Sequence, residues 1–195
     1  MPAISMRNDL MRRFAAVALA VCLVPAHAAV DATIGTDGQL NVDSHHARAV
    51  AQIAGPAKRP LRVAPPLAKE ISAAQAFFAV GKRSFVEGGA TWLLIVTQSE
   101  SRSNHAAGAC GSGTEDVLHL VQVDLPKARL VERSNVVLQS CLSGLSLNDD
   151  SGRSLQEALE SAPDPGHLHL NWLNHPDYGD QPKLLSVANG AIKVD

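Results

Sequence analysis

The fate of three cysteines, Cys22, Cys110 and Cys141, constrains the fold of this chain more than any other feature. Between the last two lie an alternating run, "DVLHLVQVDL" (116–125), a turn-former at Pro126, and a second β-rich run, "RLVERSNVVLQS", from 129. The midpoint of 110 and 141 falls at 125–126, on that turn. If the two runs pair antiparallel, their open ends meet, and an unstrained bond requires Cα atoms within about 4.4–6.8 Å. The expectation is a hairpin clasped at its open end by a Cys110–Cys141 disulfide. In the chain-entropy account such a loop contributes roughly 3.5–4 kcal/mol, against net stabilities of about 5–15 kcal/mol. Zinc is the competing use of two thiols, but the pair is far apart and has no CxxC.

A disulfide needs an oxidising compartment, and the N-terminus is expected to supply one. Arg7, Arg12 and Arg13 precede the uncharged run "FAAVALAVCLV" (14–24), Pro25 breaks it, and "AHA" (26–28) has the small-x-small pattern of a signal-peptidase site. Residues 1–28 are expected to be a signal peptide cleaved after Ala28, giving a periplasmic or secreted protein. The run is short of the roughly 20 residues a membrane span needs, so no stable membrane insertion is expected after cleavage. Cys22 leaves with the leader. Lipidation at Cys22 is the alternative, with Val21 standing where a small residue is normally required. Removing the leader takes three arginines and one aspartate from a chain of net charge −2. The remainder is mildly acidic with no basic block, so nucleic acid is excluded as a partner.

Along the rest of the chain, residues 29–66 read as a flexible entry segment. It holds a small hairpin about Asp37-Gly38, one short helix in "DSHHARAVAQIAG" between Ser44 and Gly55, and an extended linker in the proline-rich "GPAKRPLRVAPP". "LAKEISAAQAFFAVG" favours a helix by composition, although Phe77, Phe78 and Val80 suit the start of a strand equally. Residues 67–195 form the single globular domain. "TWLLIVTQS" (91–99) suits a strand covered on both faces. In 116–125, Val117, His119, Val121 and Val123 share one face. The 129–147 region reads as one bent strand or two short ones. Ser154 and Glu157 make a capping box for a helix over 155–161. "HLHLNWL" (167–173) alternates, and Asn189-Gly190 in the final run suits a type I′ hairpin. The fold class expected is α+β: a mainly antiparallel sheet of meanders and hairpins, one or two N-terminal helices and one disulfide.

Motifs of chemistry fail at the residue level. "GACGSGTED" (108–116) has Cys110 and Thr114 where a G-x-S-x-G elbow needs glycines, and Glu115 and Asp116 where a P-loop needs lysine. Glycines that permit unusual dihedrals beside a sulfur bridge explain the stretch better. His167 and His169 lie about 7 Å apart on one strand face, the spacing of strand-borne zinc ligands, with His119, His175 or Asp177 as a third ligand. A solvent-facing polar strip is the preferred account. His45-His46 is weaker. "LNDDSGRS" (147–154) has Leu147 where a calcium loop needs an acid. "NHPDYGD" (174–180) carries the only tyrosine and reads as a contact loop or a plain turn.

The leader, "CG.G.ED" before a strand and the later "SC" resemble uncharacterised exported proteins of Gram-negative bacteria, which brings no activity. "SGRS" (151–154) is similar to the serine-glycine loop of periplasmic lysozyme inhibitors, but Leu155 follows where those loops carry a tyrosine. No catalytic, cofactor or metal residue is assigned. The function expected is a non-enzymatic exported binding or interaction module, an inhibitor among the options, whose partner is another protein or an envelope component. A hydrolase without a recognisable motif is the alternative.

Overall fold

The computed structural model describes residues 29–44, 47–53, 55–101, 110, 113–148 and 152–195. The expected signal peptide, His45-His46, Gly111-Ser112 and Asp149 to Ser151 lie outside them.

Thirteen strands are described, β1 (Ala29–Ile34), β2 (Gly38–Asp43), β3 (Arg48–Gln52), β4 (Lys58–Val63), β5 (Ala76–Ala79), β6 (Phe85–Glu87), β7 (Ala90–Glu100), β8 (Thr114–Asp124), β9 (Arg129–Ser140), β10 (Ser146–Leu147), β11 (His167–Leu173), β12 (Pro182–Ala188) and β13 (Ala191–Val194). Helix α1 (Pro65–Ala73) precedes β5, and α2 (Leu155–Glu160) precedes β11. The larger sheet runs β1-β2-β3-β4-β9-β8-β7-β5, with β6 also on β7, and the smaller runs β10-β11-β12-β13. All pairings are antiparallel except β4 with β9, which joins Arg62 to Arg129 and Val63 to Leu130 in parallel. The larger sheet curls into a nearly closed barrel. At the seam, Thr33 of β1 bridges Arg83, and Ser84 N–H donates to Thr33 C=O at 2.7 Å.

Alternation along β7 decides the architecture. Leu93 and Ile95 point into the barrel with Val30, Leu40, Val121 and Leu130. Trp92, Leu94 and Val96 point outward into a second core with Leu118, Leu120, Trp172 and Leu185. The run is apolar without a break because a sheet lies on each side of it, as expected. Trp172 ties the layers together, its indole Nε1–H donating to Leu138 C=O at 2.8 Å.

The helices are not N-terminal, which corrects the sequence reading. The stretch read as a helix between Ser44 and Gly55 contains β3, where Ala49 and Ala51 are buried and Arg48 is exposed. Its period is two, and β2 and β4 hydrogen-bond to it on either side. The stretch read as linker contains β4, whose Leu61 and Val63 enter the barrel core. Pro60 is tolerated there because β9 does not reach it, so no ladder bond on that side needs its missing N–H. Residues 29–66, expected as a flexible entry segment, thus contain four strands of the larger sheet and the first residues of α1. Helix α1 starts on Pro65-Pro66, positions that need no N–H, and buries Leu67 and Ile71. It stops at Ala73, short of the expected Val80. Adjacent Phe77 and Phe78 belong to opposite cores, a placement available to a strand and not to one face of a helix.

Other expectations hold. Asn189 and Gly190 both have positive φ, at 54° and 72°, and link β12 to β13. Helix α2 carries the full capping box, Ser154 Oγ accepting from Glu157 N–H at 3.2 Å and Glu157 Oε2 from Ser154 N–H at 2.9 Å. The 129–147 region, read as one bent strand or two short ones, holds the long β9 and the two-residue β10, which lie in different sheets, and two register shifts in the β8–β9 ladder place Glu132 opposite Val121 and Val137 opposite Val117. Cys110 and Cys141 are bonded, with Cα atoms 5.6 Å apart. Cys141 N–H donates to Thr114 C=O at 3.3 Å, and Gly113 N–H donates to Cys110 C=O at 2.8 Å. Glycine is required at 113 by contact: a Cβ there would lie 2.5 Å from that of Cys141.

Candidate functional site

Two places combine polar chemistry with enclosure: a groove beside β11, and a buried relay inside the barrel.

The groove, about 300 Å³, runs between α2 with the following Ala162-Pro163 and strand β11. Leu147, Leu155, Ala158, Leu159, Leu168 and Leu170 make it apolar. Its position follows from the short β10, which pairs with β11 only at Leu173 and Trp172, with one further bond from Asn148 N–H to Asn171 C=O at 2.7 Å. The ionisable side chains of the lining are Arg153, His167 and His169, with no carboxylate among the described residues. Arg153 Nη1–H donates to Ser161 Oγ at 3.0 Å. At the end of the groove His167 Nδ1 lies 3.0 Å from Asp164 Oδ2. The bond from His167 holds the Asp164 carboxyl below its ordinary range, against the small opposing effect of burial.

The backbone polarity of β11 is fixed by its neighbours. Leu184 exchanges both hydrogen bonds with Asp195, so its polar groups face away from β11. Its partner across the ladder is His169. The N–H and C=O of His169 therefore point to the opposite side, toward the groove, as those of Asn171 do. Among the described residues no strand pairs with that edge from His167 to Leu170.

The relay lies on the barrel-facing side of β8. His119 Nε2 is 2.8 Å from Thr97 Oγ1 and Nδ1 is 3.0 Å from Glu132 Oε1, which also accepts from Asn135 Nδ2 at 2.8 Å. Burial pushes the Glu132 carboxyl up, but the bonds from His119 and Asn135 outweigh it and hold it below the usual range. Hydroxyl, imidazole and carboxylate stand in the order that activates a nucleophile. Thr97 and His119 are, however, 5% and 1% exposed, and no cavity described reaches the hydroxyl. The arrangement satisfies buried polar groups and cannot meet a substrate as it stands.

The remaining candidates separate in space. His167 and His169 are exposed on one face of β11, as read. His119 sits in the barrel and does not join them. His175 packs on Trp172 and Tyr178, with ring centroids 4.9 and 4.2 Å away. Its Nδ1 accepts from the N–H groups of Asp177 and Tyr178, and burial lowers its pKa. No group of three His, Cys, Asp or Glu able to hold a metal is present among the described residues. None of the helices described is long and apolar enough to cross a membrane.

Asp116 lies on the outward face of β8. It is fully buried and accepts from Gln98 and Gln139 at Oδ2. Its Oδ1 has no partner among the described residues. Burial raises its pKa, the bonds from Gln98, Thr114 and Gln139 opposing and the charge of Glu115 adding to the rise.

Sequence reasoning missed the groove. Its visible signs were the capping box close before an alternating strand and the brevity of the "SL" strand. No family model matches the chain, and neither a search of curated proteins nor one of solved structures finds a match.

Proposed function

We propose that this is an exported, non-catalytic binding module that seats an apolar segment of its partner, another protein or an envelope component, in the groove between α2 and β11. The observation that carries the reading is the groove: an apolar floor with one arginine and two histidines at its rim. Isolated apolar side chains on a surface need no explanation, whereas a concave apolar site with a few convergent polar groups is the usual form of a binding site. Export rests on the leader and fits the disulfide, which persists in oxidising compartments. The intact mass of protein recovered from the periplasm or medium should correspond to a chain beginning at Ala29. A product retaining Met1 removes the export reading.

The groove is tested with anilinonaphthalenesulfonate, an apolar anion matched to the basic rim. The wild-type protein should bind it in one-to-one ratio with a rise in fluorescence. Ala158→Glu sets a carboxylate in the groove from a half-buried position on α2 and should abolish the signal. Equal fluorescence from the variant, with unchanged circular dichroism, overturns this assignment.

A further inference from the structure

We propose that the cavity where β4 parts from β9 is a second binding site, and that it takes a primary ammonium group on an aliphatic stem, held by the carboxylate of Glu132. It shares no lining residue with the groove beside β11, and the inference does not rest on that groove.

The cavity, about 390 Å³, opens where two prolines end a ladder. Arg62 N–H donates to Ala128 C=O at 2.8 Å, and Ala64 N–H to Leu130 C=O at 2.9 Å. The next donor in this parallel series, opposite Glu132 C=O, would come from position 66, but Pro66 has no N–H. The chain turns into α1 instead, and Ala64 C=O is taken by Ala68 N–H. Leu130 and Glu132 turn their main-chain groups to the same side of β9, because the nearest register shift against β8 comes only after Glu132. The N–H and C=O of Glu132 therefore face the cavity, and no described main-chain group bonds them there. The lining comprises Ala64, Pro66 and 131–135, all within described stretches.

The side chain of the same residue is the second observation. The hydroxyl end of the relay is sealed, whereas its carboxylate end lines the cavity and is 14% exposed. His119 Nδ1 and Asn135 Nδ2 both approach Oε1, at 3.0 and 2.8 Å, and Oε2 takes neither bond. Asn135 spends its amide N–H on Glu132, which leaves its own Oδ1 as an acceptor. The cavity thus offers three oxygens, Glu132 Oε2, Glu132 C=O and Asn135 Oδ1, against one main-chain donor. An ammonium carries three donors and no acceptor, and its bond to a carboxylate is of the strong, charge-assisted kind.

The other polar side chains of the lining are directed elsewhere. Arg133 gives Nε–H and Nη2–H to Gln122 Oε1 at 3.0 and 2.6 Å, and it also lines the polar cavity beside Trp92. Burial, His119 and Asn135 set the ionisation of Glu132, and Arg133 has no part in it. Ser134 Oγ accepts from Ile192 N–H. Ala64, Pro66 and Val131 supply an apolar wall, which suits methylene groups next to the ammonium. A calcium ion takes about six to eight oxygens, more than are gathered here, and has no use for that wall.

The probe is n-butylammonium, titrated into the disulfide-bonded protein while its amide resonances are followed. It should bind one-to-one, with shifts centred on Glu132 to Asn135. It should bind at least about tenfold more tightly than n-butanol, which has the stem without the charge. Glu132→Gln keeps an acceptor for His119 and should weaken binding about tenfold or more. Ala64→Leu fills the apolar side, stands away from the relay and should also weaken binding, so the test holds if the Glu132→Gln protein does not fold. The source of the ammonium is read with Nα-acetyl-lysine methylamide: tighter binding than butylammonium points to a lysine of a partner protein, and equal or weaker binding to a free amine. Equal affinity for butanol, undiminished binding by a folded variant, or shifts centred elsewhere overturns the proposal. Displacement of butylammonium by an equal concentration of calcium assigns the oxygens to a metal ion and overturns it as well.

Discussion

Removing the bridge with the double variant C110S/C141S should cost about 3.7 kcal/mol at most. The cysteines are 31 residues apart, and the chain-entropy relation for a loop of that size gives about 12 cal/mol/K, or about 3.7 kcal/mol at room temperature. Two features of the structure reduce it. Strands β8 and β9 pair from Asp124–Arg129 to Glu115–Ser140, so any residual hairpin in the unfolded chain already closes part of the loop. Cys110 and Cys141 are only partly buried, so serine hydroxyls are not stranded in a core. The expected loss is therefore about 2–3.5 kcal/mol, within the range for native disulfides, with a fall in Tm of roughly 4–14 °C for a chain of this size. The assay is urea unfolding of mature protein. The slope m should rise, because the unfolded chain without a cross-link exposes more surface. Gly113→Ala adds an internal control. Its Cβ would meet Cys141 Cβ at 2.5 Å and Sγ at 2.6 Å, an overpacking cost of about 1–3 kcal/mol that should shrink once the bond is gone and Cys141 is free to move away. A loss below about 1 kcal/mol in C110S/C141S with an unchanged m would refute the reasoning, since the ladder would then be holding the open end unaided.

Three further outcomes are expected. Glu132→Ala leaves His119 Nδ1 without its acceptor in a buried site and should cost about 1–3 kcal/mol by urea unfolding; because the Glu132 pKa is lowered in the fold, its contribution is present above the ordinary carboxylate range and is lost as pH falls through the depressed value. Asp116 behaves in the opposite sense: its pKa is raised by burial, so wild-type stability should decline as pH climbs from the ordinary aspartate value through the raised one, and Asp116→Asn should flatten that slope in unfolding curves taken across acid pH. Gly190→Ala places a Cβ at positive φ and 3.2 Å from the Trp92 ring, and should cost more than about 1 kcal/mol, seen as a lower urea midpoint; an unchanged midpoint means that the turn relaxes into another form.

The sequence by itself determined the parts of this protein that are local. The pattern of period two in "DVLHLVQVDL" placed Val117, His119, Val121 and Val123 on one face, and that face lines the barrel side of β8. The Asn189-Gly190 turn and the Ser154–Glu157 cap were legible because each depends on residues close in the chain, and the pairing of Cys110 with Cys141 because the hairpin between them brings its two ends together. Tertiary structure decided the rest. "ARAVAQ" and "KRPLRV" have compositions that suit a helix and a linker, and they are strands because neighbouring strands offer them hydrogen bonds and a barrel interior takes Ala49, Ala51, Leu61 and Val63. Phe77 and Phe78 end the first helix because two cores lie on opposite sides of one sheet. The relay was out of reach for the same reason. His119 was visible, but Glu132 comes beside it only through the irregular register of β9, and Thr97 only through the register of β7. The groove is a gap between a helix and a strand edge, made where β10 stops. The capping box before an alternating strand hinted at it, but the gap itself depends on how α2 packs beside β11, which is a property of the tertiary structure.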